Sequence, residues 1–168
     1  MPGLRLAGEF YAEAVRPLLH QEFPGLGYAA ALLGPGSEVF GFDTERSTDH
    51  DWGPRLLLFL GAQDAETLAG PIDDMLERRL PGEFHGYPVS FGVTRNPASG
   101  ERHRVEVTDL DGWLTRGLGF DPRRGVTVAD WLAIPWQRLA EVTAGAVFHD
   151  GPGEPSPGRA SRAELGPR

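Results

Sequence analysis

Two short apolar runs, YAAALL at 28–33 and RLLLFL at 55–60, constrain the fold more than any other feature of the chain. Each is too brief for a helix and each is closed by glycine, Gly34 and Gly61, so both predict buried strands; the second fits a central strand covered on both faces. Around them, Leu4, Ala7, Tyr11, Ala14, Val15 and Leu18 recur at helical spacing and predict a helix from Leu4 to Phe23, kinked or restarted at Pro17. A second helix is expected from Asp64 to Leu80, its firm part starting at Pro71 as a first-turn proline. Val89–Thr94 and Arg102–Thr108 alternate and predict a hairpin around Asn96, Pro97 and Gly100. Asp109 or Asp111 is expected to cap a short helix ending at Leu118, and Val128–Ala146 to form a longer helix interrupted by Pro135. The predicted class is α+β, a mixed central sheet flanked by helices.

The chain of 168 residues fits one domain, expected over residues 1–150. Residues 151–168 hold four glycines and four prolines with Leu165 as the only large aliphatic, and predict a disordered tail. No run of about 18 apolar residues suggests a membrane span, and no signal peptide is recognisable, so a cytoplasmic location is expected. A formal net charge of −8 is the wrong sign for holding duplex DNA by bulk charge. The chain has no cysteine, and all 16 of its basic residues are arginine. That excludes thiolate nucleophiles, cysteine-ligated zinc and lysine-based mechanisms, leaving carboxylates, histidines and hydroxyls.

The stretch Gly36–Trp52, GSEVFGFDTERSTDHDW, carries the chemistry. Asp49 and Asp51 are two apart, so in an extended chain both leave the same face while His50 points away. Two carboxylates on one face repel unless a cation neutralises them, and hard oxygen ligands suit Mg²⁺ or Mn²⁺. Gly36 allows a phosphate close to the backbone, and Ser37 offers a hydroxyl and an amide N–H at an expected helix start. Glu106, between Val105 and Val107, is the best third carboxylate, because alternation turns both valines into the core; Asp109 and Asp111 are weaker alternatives. Arg46 is positioned to balance phosphate charge, with Arg55 second.

The pattern of a Gly, Ser pair, eleven residues, then Asp, His, Asp, followed by a carboxylate between apolar strand residues, resembles the polymerase-beta-like nucleotidyltransferase superfamily. GSEVFGFDTERSTDHDWGPRLLLFL and VADWLAIPWQRLAEVTAGAVFHD look like a bacterial family of uncharacterised nucleotidyltransferase-like proteins, over most of Leu26–Asp150. The resemblance implies a nucleotidyltransferase fold in which Gly36 and Ser37 hold a nucleoside triphosphate. Asp49, Asp51 and Glu106 would then bind two Mg²⁺ or Mn²⁺ ions, Glu106 as a ligand or as the base. The implied reaction transfers a nucleoside monophosphate to a hydroxyl acceptor, small or macromolecular, and expels pyrophosphate. Such proteins are expected to continue into a helical domain where this chain turns to PSPGRASRAELGPR, which suggests truncation and a nucleotide-binding remnant as the second reading. A metal-dependent phosphohydrolase using His50 and Asp51 is the third.

Each feature also has a plainer explanation. Asp, X, Asp triplets are common in turns, Gly36 in Gly34-Pro35-Gly36 is first a turn residue, and Glu106 suits the solvent face of an edge strand equally well. Arg46 by itself is an ordinary surface residue. Trp52, Trp113, Trp131 and Trp136 are most simply core or interface residues, with an exposed apolar patch expected around Trp131 and Trp136.

Overall fold

The computed structural model describes residues 3–40, 53–91 and 102–151. The chain opens with α1 (Gly3–Phe10), a π turn (Tyr11–Val15) and α2 (Arg16–Glu22), followed by β1 (Tyr28–Leu32), α3 (Ser37–Phe40), β2 (Leu56–Leu60) and α4 (Ala62–Arg79). Four two-residue strands in two pairs come next, β3 (Glu83–Phe84) with β4 (Tyr87–Pro88) and β5 (Ser90–Phe91) with β6 (Arg102–His103). The described part closes with β7 (Val105–Asp109), α5 (Leu110–Leu118), α6 (Val128–Ala133), α7 (Trp136–Thr143) and β8 (Ala146–Asp150).

The main sheet has the order β7-β2-β1-β8, with β1 antiparallel to both its neighbours and β2 parallel to β7. A mixed sheet flanked by helices is the α+β class expected. Every residue of β1 and β2 is buried, because both faces are covered. On one face Leu58 and Leu60 pack with Phe10, Val15 and Leu19 of the N-terminal helices and with Ile72 and Leu76 of α4. On the other, Ala29, Ala31, Leu57 and Phe59 pack against Leu110 and Trp113 of α5. The continuous apolar character of both strands thus follows from double coverage.

Several expected elements are redrawn. The Leu4–Phe23 helix restarts at Pro17 as expected, with α2 beginning at Arg16 and Pro17 in its first turn, and the turn just before it is widened: the Arg16 N–H reaches the Tyr11 carbonyl, five residues back. That turn accommodates a proline that can neither donate nor sit close to the preceding turn. Pro71 does not begin a helix; α4 runs through it. Gly70, Pro71 and Thr67 are all exposed, so the Thr67 carbonyl deprived of its donor faces water. The Arg102–Thr108 run divides into β6, which pairs with β5, and β7, which joins the main sheet.

The expected Val128–Ala146 helix divides at Pro135 and stops before Gly145, and the residues from Ala146 form β8 on the edge of β1. Gly145 has φ +91°, and a Cβ there would fall 2.0 Å from the Leu32 carbonyl oxygen, so chain reversal onto β1 requires glycine. Gly151 is buried, and its N–H donates to the Tyr28 carbonyl at 3.1 Å; residues 152–168 lie outside the described residues. The apolar patch is present, with Val128, Trp131, Leu132 and Trp136 all exposed.

Candidate active site

Strand directions bring the C-terminal end of β1 and the N-terminal ends of β2 and β7 to one end of the sheet. The chain leaves β1 through Leu33, Gly34, Pro35 and Gly36 and starts α3 at Ser37, the helix start expected there. Gly36 has φ +140°, and a Cβ on it would lie 2.5 Å from both Arg55 Nη2 and Glu38 Oε2. The turn is therefore specific for glycine on two counts, backbone conformation and close approach. Arg55 clamps it, donating from Nε to Glu38 Oε1 at 2.6 Å and from Nη2 to the Pro35 carbonyl. Arg55, the second basic residue expected there, is set against the Gly, Ser turn. Arg46, Asp49, His50 and Asp51 lie outside the described residues.

Glu106 stands opposite Leu57 in the parallel register, on the sheet face covered by α5, while Val105 and Val107 pack into the opposite core. Its carboxylate is half-exposed and accepts from Arg116 Nη2 at 2.9 Å; the same nitrogen donates to Thr108 Oγ1 at 3.0 Å. Asp109 caps α5, its Oδ1 accepting the Gly112 N–H at 2.7 Å. Asp111 pairs with Arg123 and Arg124. Of the three carboxylates weighed for the third position, Glu106 alone lines the cavity at this end of the sheet.

That cavity measures about 490 Å³. Leu33, Leu57, Trp113 and Val142 form its apolar wall, and Trp113 is braced edge-on against Phe59 at 5.6 Å. Its polar lining holds Arg55, Arg104, Arg116 and Arg138 with Glu106 and Glu141. Glu141 is 4% exposed and accepts from Gln137 Nε2 and Arg138 Nη1, each at 3.0 Å. The Gly34 N–H donates to the Glu141 carbonyl at 2.9 Å, tying α7 to the loop after β1. His103, also on the lining, is held from behind: its Nδ1 accepts the Val105 N–H at 3.2 Å, which leaves Nε2 to donate to the Asp73 carbonyl at 3.2 Å.

Among the described residues no three histidine or carboxylate side chains cluster so as to hold a metal ion. Glu106 is the one member of the expected ligand set that is described. Its oxygens are half-exposed at the strand start and of the hard type that Mg²⁺ or Mn²⁺ takes; Oε1 is engaged by Arg116, so Oε2 is the atom that fits such an ion. The sequence reading passed over Arg104, Arg116 and Arg138 and took Trp113 for packing alone. One signal was present: Trp113 and Arg116 are three apart on α5 and so share a face. No described helix is long and apolar enough to cross a membrane. Compared with family models, with curated proteins and with solved structures, the chain finds no match.

Proposed function

We propose that the chain is a metal-dependent nucleotidyltransferase domain that moves a nucleoside monophosphate from a nucleoside triphosphate to an acceptor hydroxyl. One observation carries the reading: the topology delivers the Gly36–Ser37 turn and Glu106 to the same end of the sheet, at the start of the strand that follows Asp49 and Asp51 in sequence. In this reading the exposed Ser37 hydroxyl and the glycine turn receive the triphosphate, with Arg55 and Arg46 offsetting its charge. Asp49 and Asp51 would hold two Mg²⁺ or Mn²⁺ ions, which would supply charge neutralisation for the transfer, while Glu106 serves as the base. The acceptor oxygen forms a bond to the α-phosphorus, the bond from that phosphorus to the bridging oxygen breaks, and pyrophosphate leaves with the electron pair. Glu106 takes the hydroxyl proton.

The test is a thermal-shift titration with Mg²⁺ or Mn²⁺ and ATP or GTP. The metal and the triphosphate together should raise the melting temperature, and Asp49→Asn with Asp51→Asn should abolish the rise. An undiminished rise in that double variant overturns the proposal.

A further inference from the structure

We infer that the arginine-lined cavity beside Glu106 seats the acceptor, and that the acceptor is a small hydroxylated molecule carrying a compact oxyanion, phosphate or carboxylate. The inference rests on the transferase reading above and adds the class of the second substrate.

Position is the first argument. Group transfer needs a second seat next to the carboxylate that takes the acceptor proton. Glu106 lines this cavity, as do Gly34 and Pro35, whereas Gly36 and Ser37 do not. The cavity therefore opens behind the Gly, Ser turn, between the sheet, α5 and α7, on the same side as Glu106. Size is the second. About 490 Å³ falls within the range of small-molecule pockets, roughly 300–1,000 Å³, and is too small for a folded protein or a duplex.

Charge decides the class. The chain carries −8, yet Arg116 and Arg138 both line the cavity, and Arg55, also on the lining, is engaged by Glu38. Arg116 is aimed by Glu106 and Thr108, and Arg138 by Glu141, which is itself 4% exposed. Each commits a single guanidinium nitrogen, Nη2 of Arg116 and Nη1 of Arg138; their remaining N–H groups have no partner among the described residues. Two guanidinium groups oriented in this way, with donors to spare, suit an oxyanion. Trp113 and Leu33 offer an apolar wall to the carbon skeleton between anion and hydroxyl.

Calorimetric titration of the full chain, without metal or nucleotide, uses glycerol 3-phosphate, glycerate and glycerol as probes. Saturable binding of glycerol 3-phosphate or glycerate but not of glycerol is expected, and the stronger of the two identifies the anion. Arg116→Gln should weaken that binding about tenfold, and Arg116→Gln with Arg138→Gln further. Both variants should keep the wild-type circular dichroism. Equal binding of glycerol, no binding of either anion, or affinity unchanged in both variants overturns the inference. So does displacement of the bound probe by ATP, which would make the cavity the triphosphate's own seat. If anion binding survives while the effect of Mg²⁺ and ATP proves independent of Asp49 and Asp51, the transferase reading falls, and the acceptor assignment with it.

Discussion

Replacing Gly36 with alanine tests the turn on which the proposed triphosphate site is built. At φ +140° an L-residue is strained by about 1–3 kcal/mol. The added Cβ would also lie 2.5 Å from Arg55 Nη2 and Glu38 Oε2, so the ion pair must move. Those two atoms are the ends of flexible side chains, and a partly exposed pair of this kind is worth about 1 kcal/mol or less, so backbone strain dominates. The sum is about 2 kcal/mol. For a domain of this size each kcal/mol lowers the melting temperature by about 2–4 °C, giving a fall of about 4–8 °C. Urea unfolding of Gly36→Ala, Arg55→Ala and the double variant separates the two contributions. If strain dominates, Gly36→Ala costs nearly as much in the Arg55→Ala background as in wild type. A loss below 0.5 kcal/mol, or full rescue by Arg55→Ala, would refute the reasoning.

Leu58→Ala, at a side chain with 0% exposure between α4 and the N-terminal helices, should cost about 2–5 kcal/mol in urea unfolding; a cost under 1 kcal/mol would mean that the site is not core. Gly145→Ala should destabilise by more than Gly36→Ala, because its Cβ meets backbone, the Leu32 carbonyl, and not a mobile side chain; equal losses would contradict that. Thr127→Ala removes the cap of α6, where Thr127 and Asp130 bond reciprocally, and should increase hydrogen exchange there at a cost of about 1 kcal/mol. Burial holds the His149 imidazole below its ordinary pKa, aided by His20 and Arg16 and opposed by Asp150. Its contribution to stability is therefore complete above about pH 6.5 and is lost as pH falls through the lower folded value. His149→Gln should flatten that part of the stability profile, and an unchanged slope would reassign it to other groups.

The core was legible because its signal is local. Uninterrupted burial of 28–32 and 56–60 needs only the runs themselves, whereas the N-terminal face was legible in part: Ala7, Tyr11 and Val15 are buried as expected, but Leu4, Ala14 and Leu18 are half-buried and Leu6, Phe10 and Leu19, outside the expected face, are buried in their place. The errors fell where a tertiary contact overrode a local pattern. Ala146, expected to end the Val128–Ala146 helix, instead opens β8 because β1 has an open edge and Gly145 permits the reversal. Pro71 looks like a helix start until the rest of α4 shows that its lost hydrogen bond points to solvent. Alternation along one strand correctly put Glu106 on the face opposite Val105 and Val107, and of the two aspartates expected as a cap, Asp109 takes that place.

The cavity was not legible, and its charge explains why. Its arginines come from the start of β2, the approach to β7, and from α5 and α7, so no window of sequence contains them together. Their sign is also opposite to that of the whole chain, and a net charge of −8 argues about bulk partners while saying nothing of a pocket. Two arguments from charge therefore hold at different scales. The acidic surface disfavours long polyanions, because their many phosphates meet the whole exterior. Inside the cavity, Arg116 and Arg138 are fixed by buried or strand-borne carboxylates, and a small anion there meets only the local lining. Selectivity for a small anionic acceptor over a nucleic acid then needs no specific rejection, since the same charge distribution attracts one and repels the other.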